Sequence, residues 1–423
     1  MSLREKLEKS TSTNNKSFLV YDRGQFLHIA QRLARDAKVY YYLAEEEPYP
    51  HKNTDEIGTG YENIEVVDDF WEALGKAGCV VFTDVYNGGL PRYLKEQGIP
   101  VFSALGCEEI EEDRKLLKKV LRDSGLPVIP TVNLKGLDAV EKYLEGKEDK
   151  WLKCSDYRGD MESQHFSNSF LMQTWFDTKR KDWGMGQNSV EILVEDSINS
   201  ECETGFDTPM LDGELPENPM IGYDNKNKAY CAMTVKKLPV MLQKIHDKMK
   251  PGFKRRGYQA WYSNEIRIAG GKAYYMDCTS RFGSPPSEIY CELYKSFTQN
   301  VWDLAHGKMP ILEPGFKYGV QLILISDFAE RHWLPIQFPK EIERFVKLKN
   351  AKKVKDGYLC IPNKNGRYIG SVIALGDDLD KTIEECIERA GMIKGEEIEF
   401  DKHAFEGIKE SITSGAKYGI KFS

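Results

Sequence analysis

The chain has 423 residues, too many for one ordinary hydrophobic core, so roughly two to four packed units are expected. Its 41% hydrophobic and 30% charged residues are those of a soluble globular protein, and no apolar run is long enough to span a bilayer. A net charge of −7 argues against broad attraction to phosphate backbones, and so against a general nucleic-acid binder.

The N-terminal segment is polar and charged, without the apolar stretch of a signal peptide. The compact apolar run SFLVY (17–21) then reads as a buried strand. Phe26, Ile29, Ala30 and Leu33 follow at helical spacing. Strands over 38–44, 64–67, 79–84 and 99–102 alternate with helices starting near Asp69 and over 91–97, the pattern of a parallel sheet with helices on both faces. A long amphipathic helix is expected over 109–124, closed by Gly125 and Pro127. A strand at VIPTV, a helix over Leu137–Leu144 and the strand WLKCS (151–155) make a smaller unit, and residues 164–189 carry no assignable pattern. A strand over 190–196, a segment over 203–211, a helix over 238–250, a hairpin over 262–277 turning at Gly270-Gly271, and a helix over 288–304 form a mixed unit. Lys248, Lys250, Lys254, Arg255 and Arg256 read as a solvated helix end rather than a binding patch. The remainder suggests a small α+β unit, with strands over 320–326, 357–362 and 366–376 and helices over 378–390 and 403–412. The division is 1–106, 107–189, 190–310 and 311–423. Nine scattered cysteines, no two at C-x-x-C spacing, fit a reducing cytoplasm and no zinc site.

Chemistry-bearing residues concentrate in four places. Asp277 and Thr279 sit two apart on a strand and share a face, and the hairpin returns Glu265 beside them. Two carboxylates and a hydroxyl suit a hard cation such as magnesium, or are a solvated hairpin face. Arg281 follows on that face, placed to grip phosphate oxygens or to pair with Asp277. Lys153 ends a strand before the loop Asp156-Tyr-Arg-Gly159-Asp160, which could offer an ammonium and backbone N–H groups to phosphates, although no P-loop pattern is present. Arg114 lies in a charged helical run, and Glu195 and Glu201 flank a strand end that could meet an adenine edge and ribose hydroxyls.

The order and approximate spacing of Arg114, Lys153, Glu195, Glu201, Glu265, Asp277, Thr279 and Arg281 resemble an ATP-grasp protein, and the whole chain resembles the phosphoribosylamine–glycine ligase family. The segments that carry the resemblance are DSGLPVIPTV, WLKCSD, VEDSINSE, YYMDCTSRFGSPPSE and SVIALGDDLDKTIEECIERAGMI, within residues from about 17 to 412. The resemblance implies an ATP-grasp fold of α/β and α+β parts, with an N-terminal parallel-sheet domain, two grasp subdomains and a small C-terminal α+β domain. It implies a cytoplasmic carbon–nitrogen ligase, a monomer or homodimer, that uses ATP and Mg²⁺ (or Mn²⁺) to join a small-molecule carboxylate to an amine through an acyl phosphate, releasing ADP and phosphate. By resemblance Arg281 and Lys153 would be catalytic. Arg114, Lys153, Glu195 and Glu201 would hold nucleotide, and Glu265, Asp277 and Thr279 would hold metal.

Three departures bear on the substrate. The family's Gly-Gly-Arg-Glu-His loop is replaced by Tyr21-Asp-Arg-Gly-Gln-Phe-Leu-His28, with one glycine and a histidine that reads as a satisfied packing residue. Its Gly-Pro-Glu-x-Pro-Leu segment is replaced by Thr83-Asp-Val-Tyr-Asn-Gly-Gly-Leu90. The metal motif has Asp277 for Glu, Thr279 for Asn, and Ser284 and Pro286 at acidic positions. The expected acceptor is therefore an amine other than phosphoribosylamine, with a small amino acid as the acid. The alternatives are phosphoribosylamine–glycine ligase itself and a nucleotide-binding grasp without turnover.

Overall fold

The computed structural model describes residues 16–44, 56–154, 163–363 and 367–422. Its first part is β1 Ser17–Asp22, α1 Leu27–Ala34, β2 Lys38–Leu43, β3 Ile64–Val67, α2 Phe70–Leu74, β4 Cys79–Phe82, α3 Leu90–Glu96 and β5 Val101–Phe102. The near-continuous apolar strands pair in parallel in the order β3-β2-β1-β4-β5. Strand order reverses between β1 and β4, so the loops after them, carrying Arg23 and Asp84, face the crevice where such sheets bind ligands.

The single helix expected over 109–124 is two, α4 Glu108–Glu112 and α5 Arg114–Asp123. Asp113 leaves the helical region at φ −105° and ψ 99°, and its carboxylate accepts the N–H groups of Lys115 and Leu116 at 2.8 and 3.1 Å. An aspartate able to cap a helix has ended one turn and restarted the next, which rotates α5 independently of α4. The smaller unit follows as β6 Thr131–Lys135, α6 Leu137–Leu144, β7 Lys150–Cys154, β8 Ser163–Phe166, α7 Ser169–Trp183 and β9 Glu191–Asp196. Its sheet is antiparallel in the order β6-β9-β7-β8. Helix α7 occupies the stretch without a pattern, and it buries only Met172 and Phe176.

The rest comprises β10 Cys202–Leu211, β11 Met220–Asn225, β12 Ala229–Thr234, α8 Val240–Arg256, β13 Gln259–Ala269, β14 Lys272–Thr279, α9 Ser287–Leu293, α10 Phe297–Ala305, β15 Tyr318–Ile325, β16 Leu334–Ile336, β17 Val346–Leu348, β18 Ala351–Val354, β19 Gly357–Cys360, β20 Tyr368–Gly376, α11 Leu379–Gly391 and α12 Ala404–Ala416. Eight strands form one sheet in the order β14-β13-β10-β11-β12-β15-β20-β17, so C-terminal strands extend the sheet that holds the hairpin. Strands β16, β19 and β18 make a separate small sheet. Helix α8 continues past residue 250 through Pro251 to Arg256, and the helix expected over 288–304 is interrupted at Tyr294, where ψ is 116°. The nine cysteines are unpaired and buried.

Trp261 on β13 ties the large sheet to both following helices. It is fully buried, stacked on Tyr290 at 4.4 Å between centroids and 5.6 Å from Phe297. Trp261→Ala should therefore cost about 3–5 kcal/mol of stability, read as a lowered denaturant midpoint. A loss under about 1 kcal/mol would mean that the indole is not a packing keystone.

Candidate functional site

One face of the large sheet is polar, and strand pairing explains how. Glu203, Gly205 and Asp207 alternate along β10 and share a face. The ladders then set Asp207 opposite Ser263, Ser263 opposite Thr279, Glu265 opposite Asp277, and Gly205 opposite Gly222. Asp224 lies two residues beyond Gly222 on β11, and Lys226 follows in the turn. The face bounds a cavity of about 250 Å³ whose walls include Glu111, Glu203, Asp224, Thr279 and Arg281. Larger hollows of about 550 and 450 Å³ lie around Lys340, Glu343, Lys353 and Tyr358, and hold none of the residues marked from sequence.

A second, narrower space of about 20 Å³ adjoins the first, and Lys226, Glu265 and Asp277 wall both. Ile129, Trp151, Ile198 and Met276 give it apolar sides, with Lys153 and Glu195 at its edge. Met276 is the extra residue of a β-bulge, because Glu265 pairs with Asp277 while Ile266 pairs with Tyr275.

Helix α5 joins the two spaces. Arg114 and Lys118, one turn apart, share its face. Arg114 Nη1 donates to Asp277 Oδ1 at 2.7 Å, on the large sheet. Lys118 Nζ lies 2.7 Å from Glu195 Oε1, on the small sheet, and Lys153 Nζ lies 3.2 Å from Glu195 Oε2. Of these five groups, all except Asp277 are at most 6% exposed.

Of the residues marked from sequence, Lys153, Glu195, Glu265 and Asp277 thus converge on the narrow space, Arg114 reaches Asp277, and Thr279 and Arg281 line the larger cavity. Arg281 does not pair with Asp277. Its Nε lies 2.8 Å from Glu111 Oε1 and 3.2 Å from Asp84 Oδ1. Glu201 lies outside both spaces, accepting from Gly270 N at 3.1 Å and from the Tyr418 hydroxyl. His28 is buried with Nε2 2.9 Å from Ser287 Oγ, and burial lowers its pKa to about 4. The loop Asp156–Gly159–Asp160 and the first fifteen residues lie outside the described residues. The sequence reading missed Lys118, Glu203, Asp207, Asp224 and Lys226. Only Lys118 carried a local signal, its spacing of four from Arg114.

Charge divides the site. Burial would raise Asp277, but Arg114 and Lys153 hold it well below the usual carboxylate range. Glu195 is lowered too, with Lys153 and Lys118 overcoming burial. On the far strands the balance reverses. Burial pushes Asp207 up to about 7 against the hydroxyl of Tyr230, which donates to Oδ2 at 2.8 Å. Burial and then the charge of Glu265 push Glu203 up to about 7. Asp224 is raised well above its ordinary value by burial and by Glu203 and Glu265. Lys226 is raised, chiefly by Glu265.

Glu265, Asp277 and Thr279 supply hard oxygen donors, but Glu265 Oε1 already lies 3.1 Å from Arg267 Nε and Asp277 Oδ1 is on Arg114. Among the described residues no group of three or more His, Cys, Asp and Glu side chains could hold a metal by itself. Two partly engaged carboxylates do not make a free-standing metal site. They fit a magnesium ion that brings phosphate and water ligands with it.

A parallel sheet followed by two sheets that close on one charged cleft makes this an ATP-grasp fold. Over most of its length the chain is similar to phosphoribosylamine–glycine ligase from Thermotoga maritima, at 13% identity and a TM-score of 0.66, covering 92% of this chain and 99% of that one. It is similar to the biotin carboxylase domain of the Hydrogenobacter thermophilus 2-oxoglutarate carboxylase in complex with MgADP, ADP and bicarbonate, at 12% identity and 0.67, covering 94% and 98%. It is likewise similar to N5-carboxyaminoimidazole synthetase from Staphylococcus aureus complexed with ADP, at 13% identity and 0.61, covering 88% and 96%. At such identities the likeness is one of fold. No protein-family model and no curated protein sequence matches the chain. Among the described residues, no helix is long and apolar enough to cross a membrane.

The raised Asp207 gives a signed pH dependence. A carboxyl whose folded pKa is near 7 binds more protons than the unfolded chain at intermediate pH, so its contribution to stability falls as pH rises from about 4 through about 7. Asp207→Asn should lose less stability than wild type between about pH 5 and pH 8, measured by thermal melts in metal-free buffer. Parallel melting curves for the two proteins would show that Asp207 titrates normally.

Proposed function

We propose that this chain is an ATP-dependent carboxylate–amine ligase that forms an amide through an acyl phosphate and releases ADP and phosphate. The observation that carries this reading is that Lys153 from the small sheet and Asp277 from the large sheet line one narrow, apolar-sided space. Ile129, Trp151, Ile198 and Met276 would suit the faces of a purine ring once the two sheets part to widen that space. The cations beside them suit its phosphates, Lys153 directly and Arg114 and Lys118 from α5.

In this reading Glu195 positions Lys118 and Lys153 and stands in for phosphate charge when no nucleotide is bound. Glu201 would have to exchange the bonds it makes to Gly270 and Tyr418 to reach ribose hydroxyls. Glu265, Asp277 and Thr279 would hold magnesium or manganese, which supplies charge neutralisation on phosphate oxygens. A substrate carboxylate oxygen bonds to the γ-phosphorus as the bond to ADP breaks. The lone pair of a neutral amine nitrogen then bonds to the acyl carbon, phosphate leaves with that oxygen and the bonding pair, and the nitrogen's surplus proton passes to solvent. Lys153 and Arg281 would offset charge on the transferred group, with Arg281 released in part from Glu111 and Asp84. The acid is a small amino acid, and the amine is not phosphoribosylamine, since the two segments that would hold that sugar phosphate are replaced.

Incubation with ATP, Mg²⁺ and a matrix of amino acids and amines should yield ADP and phosphate. AMP with pyrophosphate would end the reading, and glycinamide ribonucleotide as product would replace it with phosphoribosylamine–glycine ligase. Lys153→Ala and Asp277→Ala should each cut turnover at least about 100-fold while circular dichroism stays that of wild type.

A further inference from the structure

We propose that the larger cavity selects an acceptor amine carrying a second cationic group, a diamine or polyamine, and turns away amines that carry phosphate. The proposal rests on the ligase reading for its chemistry, but not for the binding that tests it.

The cavity shares Lys226, Glu265 and Asp277 with the narrow space, so under the ligase reading what occupies it lies next to the transferred phosphoryl group. Its walls are unevenly charged once existing pairs are counted. Arg114 is committed to Asp277, Arg281 to Glu111 and Asp84, and Arg267 is shared between Glu203 and Glu265. That leaves Asp207, held by a tyrosine hydroxyl, and Asp224, with Lys226 also in the wall.

A second observation points to a missing donor. Oε1 of Glu203 and Oδ1 of Asp224 are sealed from solvent and have no hydrogen-bond partner among the described residues. Both side chains wall the cavity, from adjacent strands of the same sheet face. A carboxylate taken from water without a donor is unfavourable, and an ammonium with three N–H groups supplies both donors and charge. A phosphate there would meet Glu203, Asp207 and Asp224 instead. The nucleophilic nitrogen would then reach toward Asp277 and Lys226 while the distal ammonium is held at Asp224, so the spacing between the two nitrogens sets which amines are productive.

Calorimetric titration of the full chain, with a non-hydrolysable ATP analogue present, compares putrescine, butylamine and phosphoethanolamine. Putrescine should bind at least about tenfold more tightly than butylamine, with phosphoethanolamine weakest. Asp224→Asn should lose about tenfold in putrescine affinity while its affinity for the ATP analogue stays unchanged, with Glu203→Gln as the second variant should the first fail to fold. Equal affinities for the three amines, or putrescine binding that ignores both substitutions, overturns the proposal. Putrescine binding lost in the variants, without ADP release with any acid, upholds this site and overturns the ligase reading. ADP release driven best by phosphoethanolamine upholds the ligase and overturns this site.

Discussion

The cleft depends on one turn of helix. Arg114 and Lys118 project from the same face of α5, yet one meets Asp277 on the large sheet and the other Glu195 on the small sheet. Removing one partner of the buried Lys118–Glu195 pair costs roughly 3–5 kcal/mol, because the remaining charge is stranded away from water. Helix α5 therefore ties the two sheets together, through an arginine and a lysine spaced about 5–6 Å apart on one helix face. The Asp113 cap matters for the same reason. By ending α4 and starting α5 afresh, it frees the second helix to aim these two side chains where the first could not.

Charge neutrality also explains how the cleft can hold buried cations. Lys118 and Lys153 both face Glu195, and Arg114 faces Asp277, so the cations are offset by carboxylates from the protein's own strands. Under the proposed reading, phosphates substitute for or add to that offset, and the ion they carry compensates Glu265 and Asp277. Few protein ligands for a metal are then a consequence of the design: a site with a full carboxylate cage would hold the ion without the nucleotide.

The alternation of strand and helix over residues 17–102 was legible because fully buried parallel strands are continuous apolar runs. The hairpin was legible because Gly270 and Gly271, at φ 55° and 72°, take a conformation that other residues resist. Asp277, Thr279 and Glu265 followed from that hairpin by period two. Asp207 and Asp224 did not, because their relation to Glu265 exists only after β10 and β11 have paired, and the sequence contains no local mark of which strands will neighbour. Residues 164–189 escaped assignment for a different reason. Helix α7 presents so little to a core that period 3.6 never becomes visible. Arg281 shows the limit of face arguments: its side chain does share the cavity with Asp277, but Glu111 and Asp84, distant in sequence, claim its guanidinium first.

The boundary between the two spaces is where the opposing tendencies meet. On one side, α5 and β7 contribute cations and hold the nearby carboxylates Glu195 and Asp277 in their ionised forms. On the other, β10 and β11 gather acids whose burial, and then mutual repulsion, raise their pKa values. Under the proposed reading an anionic nucleotide would be favoured in the first and a cationic amine in the second, so the field itself would order a ternary complex along one axis. Glu265 and Lys226 stand at the crossing point, each facing both spaces. Under the proposed reading, a carboxylate awaiting phosphorylation would rest there, between the phosphate cations and the acceptor acids.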